Sequence, residues 1–304
     1  MLTPPFTAGE LLGVASEEFM LPENIPTVRA KPRASSIGDC ARKIAYMMAN
    51  TEVTDPGEDD GEITTEQGRI VDEAISQRLV RRLGEKRGDN IRVVNTQVAL
   101  PDGFPMTGHP DGELSYGDEM RDVDGLLWGY EHKHLGRWGY EKTFKEGIEV
   151  GEPVYLCQMI SYGLALGWDA VAAVILAQDS SSTKSDAQQN LKAKNPGQRW
   201  AVNPDWNPKM LVYCLDLRQY YNTLGRRLID RANWFIDWAA NDGNPDNVQA
   251  EYSPEDVKPH YTVVEGEPVE EFIPNFPCSH CEWLTRCRES GPDGRTAPEL
   301  PFRV

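Results

Sequence analysis

The sequence predicts an α/β fold in which a mixed central sheet is flanked by helices. Three observations carry this prediction. Segments with the period of two that is typical of strands recur from residue 91 onward. A helix-length apolar segment at 153–167 interrupts them before the fourth strand, and helical patterns lie on either side, at 66–83 and at about 218–240. This β-β-β-α-β order with flanking helices is typical of α/β proteins.

Each strand is predicted from its own alternation and from the turn residues that bound it, such as Pro101-Asp102-Gly103 and Asp124-Gly125. The five predicted strands are IRVVNTQVAL at 91–100, MTGHPDGEL at 106–114, GLLWGYEHKHL at 125–135, AVAAVILAQ at 170–178 and MLVYCLDL at 210–217. The apolar segment PVYLCQMISYGLALG at 153–167 predicts a buried helix, because it is apolar on nearly all sides.

The chain of 304 residues is 39% hydrophobic, which is enough for a sizeable core. We predict a single domain over 1–304 with its core at about 60–240. The sequence contains no run of eighteen apolar residues, and its N-terminus has no basic region followed by an apolar segment. We therefore expect a cytoplasmic protein without a membrane partner.

The formal net charge of −17 argues at first against a nucleic-acid partner, because phosphate binding normally needs a basic surface. Much of the acid, however, lies in one segment at 52–62, while basic residues cluster at 29–42, 78–82, 133–145 and 226–231. An acidic average is therefore compatible with a basic groove.

Four of the six cysteines have the arrangement of one metal centre. Cys40 stands alone near the N-terminus, and Cys278, Cys281 and Cys287 form a C-x2-C-x5-C pattern. Disulfides are disfavoured in a reducing compartment. Zinc sites usually pair their cysteines in two short knuckles, so the uneven spacing favours a 4Fe–4S cluster over zinc or free thiols, which stay as alternatives.

Such a centre would act as a staple. It would be formed by the segments 33–50 and 270–290 and would hold the two ends of the chain together, which constrains the unfolded chain strongly. The other cysteines, Cys157 and Cys214, lie in apolar segments and are predicted to be buried core thiols.

Three charged residues on two predicted strands form a candidate active site. Glu131 and Lys133 share one face of their strand, while His132 and His134 point the other way. If the two strands pair, Asp111 and Glu131 converge on one divalent ion with Lys133 beside it. Taken singly, E-x-K is more often a solvated face and Asp-Gly an ordinary turn. The order D-G, E-x-K and then Q-x3-Y on a helix favours a nuclease site.

Together these elements resemble the RecB-like exonucleases of the PD-(D/E)XK superfamily. More narrowly, the chain is similar to the iron–sulfur branch, which includes the CRISPR-associated RecB-like exonucleases and the AddB nuclease domain. The resemblance covers roughly residues 33–290. It implies a restriction-endonuclease-like core, hydrolysis of DNA with Mg²⁺ or Mn²⁺, often at single-stranded ends, and a 4Fe–4S cluster on the four cysteines. Proteins of DNA recombination and repair are then expected partners.

The resemblance also assigns roles to individual residues. The family's motif aspartate, glutamate and lysine correspond to Asp111, Glu131 and Lys133. Its Q-x3-Y pair corresponds to Gln158 and Tyr162, which lie one helical turn apart. These five residues are therefore the predicted catalytic set, and the two carboxylates are predicted metal ligands.

One motif departs from the family. The family has G-x3-H on the helix before the strands, with the histidine as a metal ligand, whereas this chain has GRIVDE. Asp72 occupies the histidine position and Glu73 follows it. A carboxylate can replace imidazole around magnesium, so both are candidates for the third ligand, and His109 is a further one.

Lys142 and Lys145 follow the E-x-K strand and are predicted to bind phosphates at the mouth of the site. Arg42 and Trp283, near the cysteines, could offer a cation and a stacking surface to a single strand. The simpler interpretation of Trp283 is that it packs beside the metal centre.

Two other classes of function stay open. The chain could be a non-catalytic iron–sulfur protein that binds DNA ends or assists recombination, since the family's histidine is missing. It could also be a zinc-stapled adaptor without a role on DNA.

Overall fold

A computed structural model gives the fold of the chain. It describes residues 28–54, 80–81, 85, 90–177, 210–252, 257–264, 267–274, 278, 281–291 and 293–300. Asp72 and Glu73, the candidates for the third metal ligand, lie outside the described residues, as does most of the helix predicted at 66–83. Their roles stay predictions.

The described core is a five-stranded sheet in the order β1-β2-β3-β4-β5. The strands are β1 Ile91–Val94, β2 Gly112–Tyr116, β3 Trp128–Leu135, β4 Ala170–Ala177 and β5 Met210–Asp216. β3 and β4 are parallel, and the other neighbours are antiparallel. The predicted α/β fold with a mixed sheet is confirmed. A separate hairpin pairs β6, Val257–Val264, with β7, Glu267–Pro274.

The first two strands are shorter than predicted. Asn95 and Gln97 adopt positive φ angles of 51° and 57°, which end β1 early. Pro110 has no backbone N–H to donate to a neighbouring strand, and β2 begins only at Gly112. The prediction that residues 95–100 and 106–111 are strand is therefore wrong. As a result, Asp111 lies in the connection immediately before β2.

The α-helices of four or more residues in the described ranges are α1 Ala41–Ala49, α2 Arg137–Glu146, α3 Ile148–Gly151, α4 Pro153–Leu166, α5 Arg226–Asn241 and α6 Leu284–Ser290. A short helical segment, Arg218–Tyr220, and a π-helical turn, Tyr221–Gly225, lead directly into α5. The predicted buried helix is confirmed as α4, which begins with a proline in its first turn and ends before Gly167 in the left-handed conformation. It lies in the crossover between the parallel strands β3 and β4. None of the helices in the described ranges is long and apolar enough to span a membrane.

Cys157 and Cys214, the two cysteines that are not predicted metal ligands, differ in their environment. Cys157 on α4 is buried, as predicted. Cys214 is exposed, so that prediction is wrong. β5 lies at the edge of the sheet, and Cys214 alternates with the buried Tyr213 and Leu215, which places it on the solvent side.

A buried arginine of α5 holds three distant segments together. The Arg231 guanidinium is fully buried and donates to both carboxylate oxygens of Glu251, at 2.6 and 2.8 Å. It also donates to the backbone oxygens of Asp39, at 2.7 Å, and of Pro298, at 2.8 Å. Glu251 in turn accepts the N–H of Ala41 at the start of α1. The N-terminal and C-terminal segments are thereby fixed to the same helix.

Arg42 of α1 makes a second connection of this kind. Its side chain is 1% exposed. It donates to the backbone oxygens of Val248, Cys287, Gly291 and Asp293. The expectation that Arg42 contacts DNA is corrected by this geometry, because its guanidinium faces buried backbone carbonyls. Its role in the described structure is to join α1 to the C-terminal segment.

We expect Arg231→Met to lower the free energy of unfolding by about 3–5 kcal/mol, because it leaves a partly buried carboxylate and two backbone carbonyls without their donor. Urea unfolding followed by circular dichroism measures this. The matched control is Arg218→Met: Arg218 pairs with Asp216 at 2.8 Å, but both side chains are half exposed, so no shift in the unfolding midpoint is expected. Equal shifts in the two variants would contradict the structural role of Arg231.

Candidate active site

The pairing of β2 with β3 brings Asp111 next to Glu131. Gly112 lies opposite Tyr130 in the antiparallel register, so the residue before β2 lies beside the residue after Tyr130. A carboxylate oxygen of Asp111 accepts the backbone N–H of His132 at 2.7 Å. The predicted pairing of the two strands is confirmed, and it places both carboxylates at one end of β2.

The side chains of β3 alternate between two faces as predicted. Lys133 Nζ lies 2.6 Å from Glu131 Oε1 on one face. The rings of His132 and His134 contact each other on the opposite face, with their centroids 4.7 Å apart. The acid and the lysine are therefore directed into the same site.

Glu131 is the most deeply buried charged group of this site. Its side chain is 1% exposed, and its Oε1 accepts hydrogen bonds from Lys133 and from Gln158 Nε2, the latter at 2.9 Å. Its Oε2 is buried and has no hydrogen-bond partner among the described residues. Burial raises the pKa of Glu131 to about 7, the charge of Asp111 adds to this, and Lys133 opposes it. A buried acceptor without a donor is costly, so this oxygen is suited to bind a cation.

Lys133 keeps its charge although it is largely buried. Burial lowers the pKa of an ammonium group, but the carboxylates of Glu131 and Asp111 outweigh this effect, and the pKa of Lys133 is raised. Burial likewise raises the pKa of Asp111, against the opposing charge of Lys133 and the N–H of His132. The site therefore holds two carboxyl groups around one fixed positive charge.

Helix α4 supplies the polar residues that hold the carboxylates in place. Gln158 Nε2 donates to Glu131 and also lies 3.0 Å from the hydroxyl of Tyr162, one turn further along the helix. That hydroxyl lies 3.3 Å from the backbone oxygen of His109. Burial raises the pKa of Tyr162 to about 12, so its hydroxyl stays a donor at neutral pH. The helix thus contacts both Glu131 and the connection that carries Asp111.

Three further residues that the sequence did not single out support β3. Trp168 donates its indole N–H to Oε1 of Glu113, a residue of β2, at 2.7 Å. Its ring packs on Gly129, where a Cβ atom would lie 2.0 Å from the ring. Only glycine therefore fits two residues before Glu131. The sequence signal for this packing is weak, since a lone glycine in a strand has several explanations.

The four cysteines predicted to hold a metal centre line one cavity, although Cys40 and Cys278 are far apart in the chain. The residues that line it are Asp39, Cys40, Arg42, Lys43, Tyr46, Tyr252, Cys278, Cys281, Leu284 and Cys287. Burial raises the pKa of the Cys281 thiol, and the nearby Lys43 opposes this. The donor types in this cavity, four thiols with Lys43 and Arg42 nearby, are those that an anionic thiolate-bound centre needs.

No group of three or more His, Cys, Asp or Glu residues within the described ranges is arranged to hold a metal ion. This holds for the cysteine cavity and for the carboxylates of Asp111 and Glu131, which are two ligands only. The two candidates for a third carboxylate ligand fall in a segment that the structure does not describe.

Trp283 lies beside the cavity and is 5% exposed. Its ring stacks on Tyr46 with centroids 5.9 Å apart, and its indole N–H donates to the backbone oxygen of Thr51 at 3.2 Å. Trp283 therefore packs against the segment that carries Tyr46 and Thr51, and its ring is not open to a DNA strand.

The two candidate phosphate-binding lysines lie on α2, which begins two residues after β3. Lys145 forms an ion pair with Glu141 at 3.4 Å. Lys142 is exposed, and its charge acts on Glu152, whose pKa burial raises to about 6. Lys142 therefore lies near the start of α4.

Neither a protein-family model nor a curated protein matches the chain. Among solved structures it is similar to an alkaline exonuclease from Laribacter hongkongensis, with 13% identity and a TM-score of 0.36 over 70% of this chain and 93% of that one. The same enzyme in complex with dAMP gives 15% identity and a TM-score of 0.35, over 69% and 91%. A phage-related exonuclease from Haemophilus somnus 129PT gives 13% and 0.39, over 69% and 95%. The likeness is distant and carries no argument about function. The proposed function rests on the side chains of Asp111, Glu131 and Lys133.

We expect Gly129→Ala to lower the free energy of unfolding by about 1–3 kcal/mol, because the added methyl group overlaps the ring of Trp168 and forces it away from Glu113. Gly103→Ala is the matched control, since a Cβ atom there meets nothing within 4 Å. Thermal unfolding of both variants measures the difference. If both unfolded at the wild-type temperature, the close packing of Trp168 on β3 would be refuted.

Proposed function

We propose that this protein is a metal-dependent DNA nuclease that hydrolyses phosphodiester bonds. The observation that carries the proposal is the buried, unpartnered Oε2 of Glu131, next to Asp111 and to a protonated Lys133. Two carboxylates and a lysine in this arrangement can hold a divalent ion and, together with it, stabilise the negative charge on the phosphate oxygens in the transition state.

The ion would be bound by Asp111 and Glu131, with Asp72 or Glu73 as candidates for a further ligand. Oxygen donors suit Mg²⁺ or Mn²⁺ better than softer metals. When bound, such an ion supplies a water molecule of lowered pKa and Lewis acidity at the phosphate.

The protein's own residues orient these groups. Lys133 is charged and is held by Glu131. Its ammonium group donates a hydrogen bond to the attacking oxygen or to the phosphate oxygens. Gln158 fixes the orientation of Glu131 through its amide N–H. Tyr162 holds the connection that carries Asp111 through the backbone oxygen of His109. Each contact limits the freedom of a charged group before the substrate arrives.

We propose single-stranded DNA ends as the substrate and exonucleolytic cleavage as the activity. This finer assignment is supported by the resemblance to RecB-like exonucleases and by the position of Lys142 and Lys145 directly after β3. Lys142 is exposed, so its ammonium group can bind a phosphate of the incoming strand. Such phosphate contacts supply much of the affinity of proteins that bind nucleic acids.

We further propose that Cys40, Cys278, Cys281 and Cys287 hold a 4Fe–4S cluster with a structural role. The observation that supports it is that the four thiols line one cavity. Four cysteine thiolates are the usual ligands of such a cluster.

The nuclease assignment is tested with Lys133→Ala and Glu131→Gln, which remove the charge of the lysine and of the metal ligand. We expect kcat on end-labelled DNA to fall by about 100-fold or more in each, with Mg²⁺ or Mn²⁺ present. Lys31→Ala, a lysine outside the site, is the control and should cut like the wild type. Equal rates for Lys133→Ala and wild type would show that the active site is assigned wrongly.

A folded wild-type protein that bound DNA ends without cutting them would favour the non-catalytic partner instead. Single- and double-stranded substrates labelled at either end, compared in the same assay, distinguish exonucleolytic from internal cleavage. Preference for the duplex would contradict the proposed single-stranded substrate.

The cluster is tested by anaerobic purification followed by iron and sulfide analysis. We expect visible absorption at about 400 nm in the wild type, its loss in Cys281→Ser and a lower unfolding temperature in that variant. Cys214→Ser is the control, since Cys214 is exposed and does not line the cavity. Zinc in place of iron in the wild-type protein would support the zinc alternative.

A further inference from the structure

One face of α4 carries three residues that each contact the candidate active site. Tyr155, Gln158 and Tyr162 are spaced i, i+3 and i+7, which places them in one stripe along the helix. Gln158 contacts Glu131, and Tyr162 contacts the backbone oxygen of His109, two residues before Asp111. The third residue of the stripe, Tyr155, contacts Lys133.

We infer that Tyr155 is a positioning residue that holds the ammonium group of Lys133 in place for catalysis. The inference rests on the proposed nuclease function and extends it to a residue outside the motif. Lys133 Nζ lies 5.3 Å from the centroid of the Tyr155 ring, within the range of a cation–π contact.

The surroundings make this contact strong. The Lys133 side chain is only 18% exposed, so water competes little with the ring for the ammonium. The ring itself is held, because Tyr155 is partly buried and packs against the main hydrophobic core. Its position is therefore fixed by α4 and does not depend on the charge of the site.

Lys133 needs a second contact besides Glu131, because its attraction to Glu131 changes when that carboxylate binds a divalent ion. In the described structure Lys133 is bound by Glu131 Oε1 at 2.6 Å. A carboxylate that also binds a divalent ion attracts a lysine less, and the ion itself repels the ammonium. The lysine side chain has a flexible four-carbon stem, so it would then be free to turn away. The face of the Tyr155 ring attracts the ammonium whether or not Glu131 holds an ion.

Steady-state kinetics on single-stranded DNA with Mn²⁺ test this role. In Tyr155→Leu and Tyr155→Met, kcat is expected to fall by about 5- to 30-fold, as the loss of a desolvated cation–π contact predicts, while KM changes by less than about twofold. In Tyr155→Phe, which keeps the ring and loses only the hydroxyl, kcat stays within about twofold of wild type. A merely structural role would not produce this difference between kcat and KM together with rescue by phenylalanine.

The outcomes separate this inference from the proposed function. A wild type that cuts DNA, together with a folded Tyr155→Leu that cuts equally fast, overturns the role of Tyr155 alone. A Tyr155→Phe as slow as Tyr155→Leu overturns it as well, since the hydroxyl and not the ring would then matter. A wild type that cuts no DNA removes the proposed function, and the positioning role of Tyr155 in catalysis with it.

A double-mutant cycle on stability tests the contact without any activity assay. Tyr155→Leu, Lys133→Met and the double variant are unfolded in urea. If the ring holds the ammonium, the double variant loses less stability than the sum of the two single variants. Additive losses would overturn the contact on which the inference depends.

Discussion

The buried carboxylate of Glu131 is the constraint on which the rest of the site depends. A charged group in this position is stable only if cations and donors surround it, and two elements of the fold supply them. β3 places Lys133 beside it, and α4 supplies Gln158. The pairing of β2 with β3 brings a second carboxylate, Asp111, near, and its charge disfavours the charged form of Glu131. One carboxylate oxygen still has no partner in the described part of the chain, and the proposed cation site depends on this feature.

The described segments at 39–42 and 287–298, which lie far apart in the sequence, are held together by Arg42 and Arg231. Arg231 and Arg42 connect the N-terminal segment to the C-terminal one through buried hydrogen bonds, and the four cysteines line a cavity between these segments. A cluster there would add a covalent connection to a contact that the arginines already make. The proposed cluster and the buried arginines therefore connect the same two segments. Loss of either one would leave the other to hold these segments together.

The cysteine cavity and the carboxylate site are linked through α4. Gly38, two residues before Cys40, packs so closely on this helix that a Cβ atom would lie 3.0 Å from the Cα of Val154 and 3.2 Å from the sulfur of Cys157. The next residue of α4 is Gln158, which contacts Glu131. The segment that leads into the cavity thus supports the helix that orients the active-site groups.

The sequence by itself determined the order of the five strands of the main sheet with α4 between the third and the fourth, the buried character of α4, and the faces on which Glu131, Lys133, Gln158 and Tyr162 lie. These follow from local periodicity, which depends only on neighbouring residues. The tertiary structure decided what periodicity does not contain: Asp111 lies before its strand and not within it, Arg42 is buried among backbone carbonyls, Cys214 faces solvent, and Tyr155 lies against Lys133. Each of these depends on contacts between distant segments or on the position of a strand in the sheet, and therefore on the topology of the whole chain.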